Sequence, residues 1–100
     1  MNSKKKILIV DDSEMNRALL EDMLSDDYEI LEAENGMEAT TIMHSHELDI
    51  CLVLLDIVMP VMDGFDTLAM MNKNGWIKNM PVIMISAETA STYMDRAYSL

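Results

Sequence analysis

The chain has a single cysteine, only seven basic residues and no long apolar run, and each shortage removes a class of protein. With Cys51 alone no intramolecular disulfide can form, so a reducing compartment is the expected home and Cys51 reads as plain core. Seven Lys and Arg against eighteen Asp and Glu leave a formal net charge of −11. Phosphate backbones are bound by clustered cations, so direct nucleic-acid binding is excluded and cations or basic protein surfaces are better partners. Much of the acidity serves solubility equally well. No apolar stretch approaches the roughly 20 residues that cross a bilayer, so the chain reads as soluble. The run of charge from Met1 to Lys6 is followed by four apolar residues that end in two aspartates, with no small-residue cleavage site. That is not a signal peptide, and the expected location is cytoplasmic. No internal repeat or low-complexity linker occurs, and 100 residues accommodate one small domain and not a second.

Methionine is abundant, with twelve in the chain, mostly at apolar positions such as Met15, Met23, Met70, Met71 and Met84. Flexible core filler is the first reading and an adaptable binding face the second. The more informative pattern is acidic. Asp11-Asp12 stands directly behind Ile7-Leu8-Ile9-Val10, and Asp56 directly behind Leu52-Val53-Leu54-Leu55. Short aliphatic runs of this kind suit parallel strands buried on both faces, whose sheets bind ligands beyond the carboxyl ends of the strands.

Between these runs the periodicity changes. Met15, Leu19 and Met23, widened by Ala18, Leu20 and Leu24, predict an amphipathic helix over about residues 13 to 25. Tyr28 to Ala33 has the mix of a second strand. Glu34-Asn35-Gly36 is turn chemistry in which Gly36 is free to take positive φ. Met37, Ala39, Thr40, Ile42 and Met43 predict a second helix reaching about His46, where the two histidines two apart point to different faces and make no metal pair. Leu48-Asp49-Ile50 leads into the third strand. Pro60 extends Met59, Gly64 supplies a tight turn, and a third helix runs from about Phe65 to Asn72 until Lys73-Asn74-Gly75 ends it. Pro81 opens a fourth strand, Val82 to Ile85, and residues 87 to 100 have helical composition. The order is βαβαβαβα, which predicts an α/β fold with a doubly wound parallel sheet. If strand 1 is central and the chain winds first to one side and then to the other, strands 1 and 3 meet at the switch point. Asp11, Asp12 and Asp56 then share one crevice.

Three carboxylates in one crevice repel: at 4 Å a like-charged pair costs roughly 4 kcal/mol at an effective dielectric near 20. Protonation or a divalent cation relieves this, and an all-oxygen donor set with room for water favours Mg2+ or Mn2+ over zinc. A carboxylate beside such a cation can act as a nucleophile toward phosphorus and give an acyl phosphate. Ser86, at the end of the fourth strand, is placed either to donate a hydroxyl hydrogen bond to a phosphoryl oxygen or to cap the following helix.

Asp11-Asp12 after strand 1, Asp56 within Leu-Leu-Asp-Ile-Val-Met-Pro-Val-Met-Asp-Gly after strand 3, and Ser86-Ala87 after strand 4 together resemble a response-regulator receiver domain of two-component signalling. The resemblance covers essentially the whole chain. It implies the flavodoxin-like strand order 2-1-3-4, with Asp56 as phospho-acceptor from a histidine kinase or phosphotransfer protein. It also implies Asp12 as a direct Mg2+ ligand, Asp11 as a ligand through water, and the backbone carbonyl of Val58 as a further metal ligand. Ser86 would be the switch hydroxyl, with Ala87 leaving space beside it. Val58 and Glu88 would tune the lifetime of the phosphorylated state, while Met59-Pro60 and Asp63-Gly64 shape the loop. The module would be a switch and not an enzyme.

Receiver domains also have a fifth strand and fifth helix, with a lysine delivered to the phosphoryl group and usually an aromatic switch residue. Lys73 and Lys78 do not follow strand 4, and Tyr93 and Tyr98 fall in the fourth-helix region. The expectation is therefore a C-terminally incomplete receiver over residues 1–100, a fragment or truncated form, whose exposed strand 4 edge invites a dimer. The rival readings are a phosphate-independent interaction domain that keeps the fold and, less favoured, a Mg2+-dependent phosphohydrolase. Against the latter, Val58 stands where a second catalytic acid would be.

Overall fold

A computed structural model of the chain describes residues 5–57 and 61–85. Four strands, β1 (Lys6–Val10), β2 (Glu29–Ala33), β3 (Ile50–Asp56) and β4 (Val82–Ile85), alternate with three helices, α1 (Glu14–Leu24), α2 (Gly36–Ser45) and α3 (Gly64–Lys73). All strand pairs are parallel, and the order is β2-β1-β3-β4. The doubly wound sheet is thus as the sequence predicts. The helix expected over residues 87–100 lies outside the described residues.

Each helix starts where a short polar side chain captures an otherwise orphaned backbone N–H. Ser13, Asn35 and Asp63 accept from the amides of Asn16, Glu38 and Asp66. Such caps contribute about 1 kcal/mol each. α3 stops at Gly75, whose φ of 73° is left-handed, before a single 3-10 turn at Trp76–Lys78 that the sequence reading did not anticipate.

The two sheet faces are filled unequally. Over one, Leu8, Val10, Val53 and Leu55 pack with Ala39 and Met43 of α2, Met71 of α3, and Trp76 and Met80, all buried. Over the other, Ile7, Ile9 and Leu54 meet only partly buried partners, Leu20 and Leu24 of α1 among them. The expected apolar stripe of α1 is accordingly corrected: Met15, Leu19 and Met23 are 73%, 58% and 75% exposed. Leu20 and Leu24, one position round the helix, make the contact instead, because α1 lies over β1 and β2 and its apolar arc is wider than the sheet beneath it. Of the methionines read as core filler, Met71 fulfils the role and Met15 and Met23 do not.

Two glycines also differ from expectation. Neither Gly36 nor Gly64 has positive φ; each opens a helix. What requires glycine is close approach. A Cβ on Gly36 would overlap Thr67 Oγ1 and come within 2.6 Å of the Met62 carbonyl oxygen, and one on Gly64 would overlap the Asp56 carbonyl oxygen and lie 2.8 Å from Ile57 Cα. The Gly64 amide donates to the Ile57 carbonyl at 2.9 Å, which holds the start of α3 against the end of β3.

Besides Gly75, the described residue that takes positive φ is Val61, at 69° and 78% exposed. A β-branched side chain there is strained by about 1–2 kcal/mol. Val61→Gly should raise the urea midpoint, by a net gain of roughly 0.5–1 kcal/mol once the extra freedom of the unfolded glycine chain is counted. Gly64→Ala should cost about 1–3 kcal/mol, since the new methyl meets backbone and not a movable side chain. Equilibrium unfolding of the three chains measures both effects.

Candidate functional site

The carboxyl end of the sheet gathers the acids. Val10 pairs with Leu55, so the next residue of each strand, Asp11 and Asp56, stands side by side at the switch point between α1 and the β3–α3 loop. One carboxylate oxygen from each of Asp11, Asp12 and Asp56 lies within 4.8 Å of the others. Asp11 and Asp56 are buried, whereas Asp12 is exposed. The crevice foreseen from the sequence is therefore formed. Val58 and Ser86, along with Ala87 and Glu88, lie outside the described residues.

Asp11 is held from several directions. Its amide donates to the Ala33 carbonyl of β2 at 3.0 Å, which extends the β1–β2 ladder by one residue. Its Oδ1 accepts from the Ser13 amide at 2.8 Å and its Oδ2 from Asn16 Nδ2 at 3.4 Å. Two hydrogen bonds from the start of α1 thus aim one carboxylate. Asp56 is fixed from behind by β4, where Asp56 pairs with Ile85, and by Gly64, whose lack of a side chain lets the start of α3 approach the Asp56 carbonyl.

A residue that sequence reasoning passed over completes the surround. Arg17 of α1 is 8% exposed, and each of its guanidinium nitrogens has a different partner. Nη1 donates to the Asp11 carbonyl oxygen at 2.6 Å and Nε to Glu32 Oε1 at 3.0 Å, while Nη2 faces Glu34 Oε1 at 3.9 Å. In the sequence this arginine is one charge in an amphipathic helix, with nothing in its spacing to mark it. The only available signal was a cation five residues beyond an acidic pair that needs one nearby.

The donor set is entirely oxygen, from three carboxylates, with neither histidine sharing the cluster. At 4 Å each like-charged pair costs from about 1 kcal/mol in bulk water to about 4 at an effective dielectric near 20. Such a cluster fits a hard divalent cation that keeps several waters, as Mg2+ does. Beside it opens a cleft of about 390 Å3 whose walls are Asp11, Asp56 and Asn16 at one end and Leu19, Leu20, Met23 and Ile85 at the other. No helix among the described residues is long and apolar enough to cross a membrane.

Comparison with known proteins agrees with this geometry. Chemotaxis protein CheY of Halobacterium salinarum is 48% identical over 63 residues, covering 62% of this chain and 51% of that protein, so the chain spans about half of that relative's length. The chemotaxis response regulator CheY4 of Vibrio cholerae superposes with a TM-score of 0.82 at 28% identity, covering 97% of this chain and 80% of that one. CheY of Borrelia burgdorferi, solved in a CheX-CheY-BeF3-Mg+2 complex, gives a TM-score of 0.74 at 36% identity over 94% of this chain and 71% of that one. The model of the response regulator receiver domain matches residues 7–100, and the chain belongs to that family.

Proposed function

We propose that the chain is a phosphoacceptor of two-component signalling, read as one receiver domain over residues 1–100. Asp56 takes a phosphoryl group from the phosphohistidine of a histidine kinase or phosphotransfer protein. The observation that carries this reading is the convergence of Asp11, Asp12 and Asp56 to within 4.8 Å at the carboxyl ends of two adjacent strands. The all-oxygen donor set favours Mg2+, with Mn2+ as an alternative, held by these three aspartates together with the Val58 carbonyl. When bound, the cation supplies charge that offsets both the acids and the incoming phosphate. The Borrelia relative was solved with Mg+2 in its complex, which supports the same choice here.

In the transfer, an Asp56 carboxylate oxygen forms a bond to phosphorus as the bond from phosphorus to the donor imidazole nitrogen breaks. The electron pair stays with that nitrogen, which takes up a proton from solvent, and Asp56 becomes an acyl phosphate. Burial of Asp56 limits water at the new anhydride, and the hydrogen bonds on Asp11 keep the neighbouring carboxylate from swinging into the path of attack. Ser86 is assigned as the hydroxyl that answers the phosphoryl group. The result is a change of state in a cytoplasmic binding module, not turnover of a substrate. Its acidic surface suits a donor protein with a basic face.

Incubation with acetyl phosphate and Mg2+ should give an acid-stable, base-labile adduct on Asp56, detected by intact and peptide mass spectrometry. EDTA and Asp56→Asn should each abolish it; an adduct that survives Asp56→Asn would overturn the assignment. Thermal melts test the cation independently. Asp12→Asn should melt higher than the wild type in EDTA, because one like charge is gone. Mg2+ should then raise the wild-type Tm by mass action and the variant's by less. An equal response in both chains would remove Asp12 from the cation site.

A further inference from the structure

Four polar or charged residues are buried among those described: Asp11, Arg17, Asp56 and Thr67. Asp11 and Asp56 belong to the acidic cluster. Thr67 is satisfied within α3, where its hydroxyl donates to the Asp63 carbonyl. Arg17 has no part in the chemistry described above, yet it makes a short side-chain hydrogen bond at the site, to the Asp11 carbonyl oxygen at 2.6 Å.

That carbonyl belongs to the peptide joining Asp11 to Asp12. A peptide unit is planar, so fixing its oxygen fixes the plane and the direction in which the Asp12 Cα leaves it. The Asp11 carboxylate is aimed separately, by Ser13 and Asn16. No hydrogen bond or ion pair among the described residues is given to the Asp12 side chain, which is exposed, so its place in the cluster depends on the backbone that presents it. Arg17 in turn is held by Glu32 at the end of β2 and faces Glu34 just beyond it. A planar guanidinium can meet the backbone and the carboxylates at once, which an ammonium cannot reproduce.

We propose that Arg17 is a positioning residue for the divalent cation, orienting the Asp11–Asp12 peptide so that Asp12 joins Asp11 and Asp56, with Glu32 as its anchor. The inference rests on the reading of the acidic cluster as a Mg2+ site. Its consequence runs against simple electrostatics. Arg17 brings a positive charge to the acids, so removing that charge alone would tighten cation binding, whereas loss of the positioning bond weakens it.

The test is titration calorimetry with Mg2+ on the wild-type chain and on Arg17→Gln, Arg17→Lys, Glu32→Gln, Glu29→Gln and Asp12→Asn, with circular dichroism melts in EDTA. Partners behind a metal ligand typically contribute 10–100-fold in affinity, so Arg17→Gln should weaken Mg2+ binding by about that factor. Arg17→Lys should recover part of the loss. Glu32→Gln should weaken binding more than Glu29→Gln, which makes the same charge change at the other end of β2. At saturating Mg2+ the rate of labelling by acetyl phosphate should return to within a few-fold of wild type, as a positioning role requires. A lowered Tm with wild-type or tighter Mg2+ affinity in Arg17→Gln would make Arg17 a structural tie only and overturn the proposal. If Arg17→Gln does not fold, Glu32→Gln decides, and affinity equal to that of Glu29→Gln overturns it. If the wild type binds no Mg2+, or Asp12→Asn binds as the wild type does, the cation site itself is wrong and the inference falls with it.

Discussion

Parallel pairing of β1 with β3, with Val10 opposite Leu55, is the constraint on which the rest depends. Once two buried strands run side by side in that register, whatever follows them must emerge together at one edge of the sheet. Here aspartates follow both, and Asp11 and Asp56 emerge buried as well as adjacent. Burial makes the repulsion stronger than it would be in water, because less solvent screens it. The neighbourhood is accordingly built to hold anions. The Ser13 amide and the Asn16 side chain donate to Asp11, a guanidinium grips its carbonyl, and a helix-opening glycine lets the start of α3 pack against the Asp56 carbonyl. Such a cluster fits a divalent cation, and the proposed phosphoacceptor reading rests on the cluster more than on any single residue.

The stability that offsets this arrangement comes from the other face of the sheet. There Leu8, Val10, Val53 and Leu55 are fully buried against α2 and α3, and Met43, Met71 and Met80 fill the space without residual exposure. Leu or Met to Ala at such positions commonly costs about 2–5 kcal/mol, so a few of these side chains outweigh a strained loop and a repelling pair. The strained Val61 and the close-packed Gly64 both fall between Asp56 and the first turn of α3, as expected if local frustration is tolerated where the backbone must be aimed.

Much of this was legible in the sequence, for definite reasons. β1 and β3 could be read because a central parallel strand is apolar on both faces, so Ile7 to Val10 and Leu52 to Leu55 appear as unbroken runs. The acids at their ends followed from the same observation, and connection order then made the strands neighbours. The side of α1 was not legible. Met15, Leu19 and Met23 keep helical spacing as well as Leu20 and Leu24 do, and periodicity gives the width of an apolar arc without saying which part a narrow sheet will cover. Gly36 and Gly64 were read through their permissive φ, the commoner reason for glycine. Their actual reason, a neighbouring backbone too near for a Cβ, arises between elements and leaves no local trace. Arg17 was missed on similar grounds, since its partners Asp11, Glu32 and Glu34 come from three places in the chain.

The thin packing of α1 and the density of polar bonds at its first turn are two sides of one design. A helix fixed mainly by buried apolar contacts would hold Asp11 and Asp12 by steric fit, indifferent to charge. α1 instead contributes Ser13, Asn16 and Arg17 to the acidic loop while Leu20 and Leu24 supply only partly buried contacts. The position of the helix start and the geometry of the acids are then determined by the same electrostatic bonds. Under the proposed function, a cation arriving or a phosphoryl group forming on Asp56 would change the charge beside the bonds that seat α1 and, through Arg17, beside the end of β2. Coupling of this kind needs no long chain of contacts. It follows from placing a helix whose anchorage is polar beside a site whose chemistry is a change of charge.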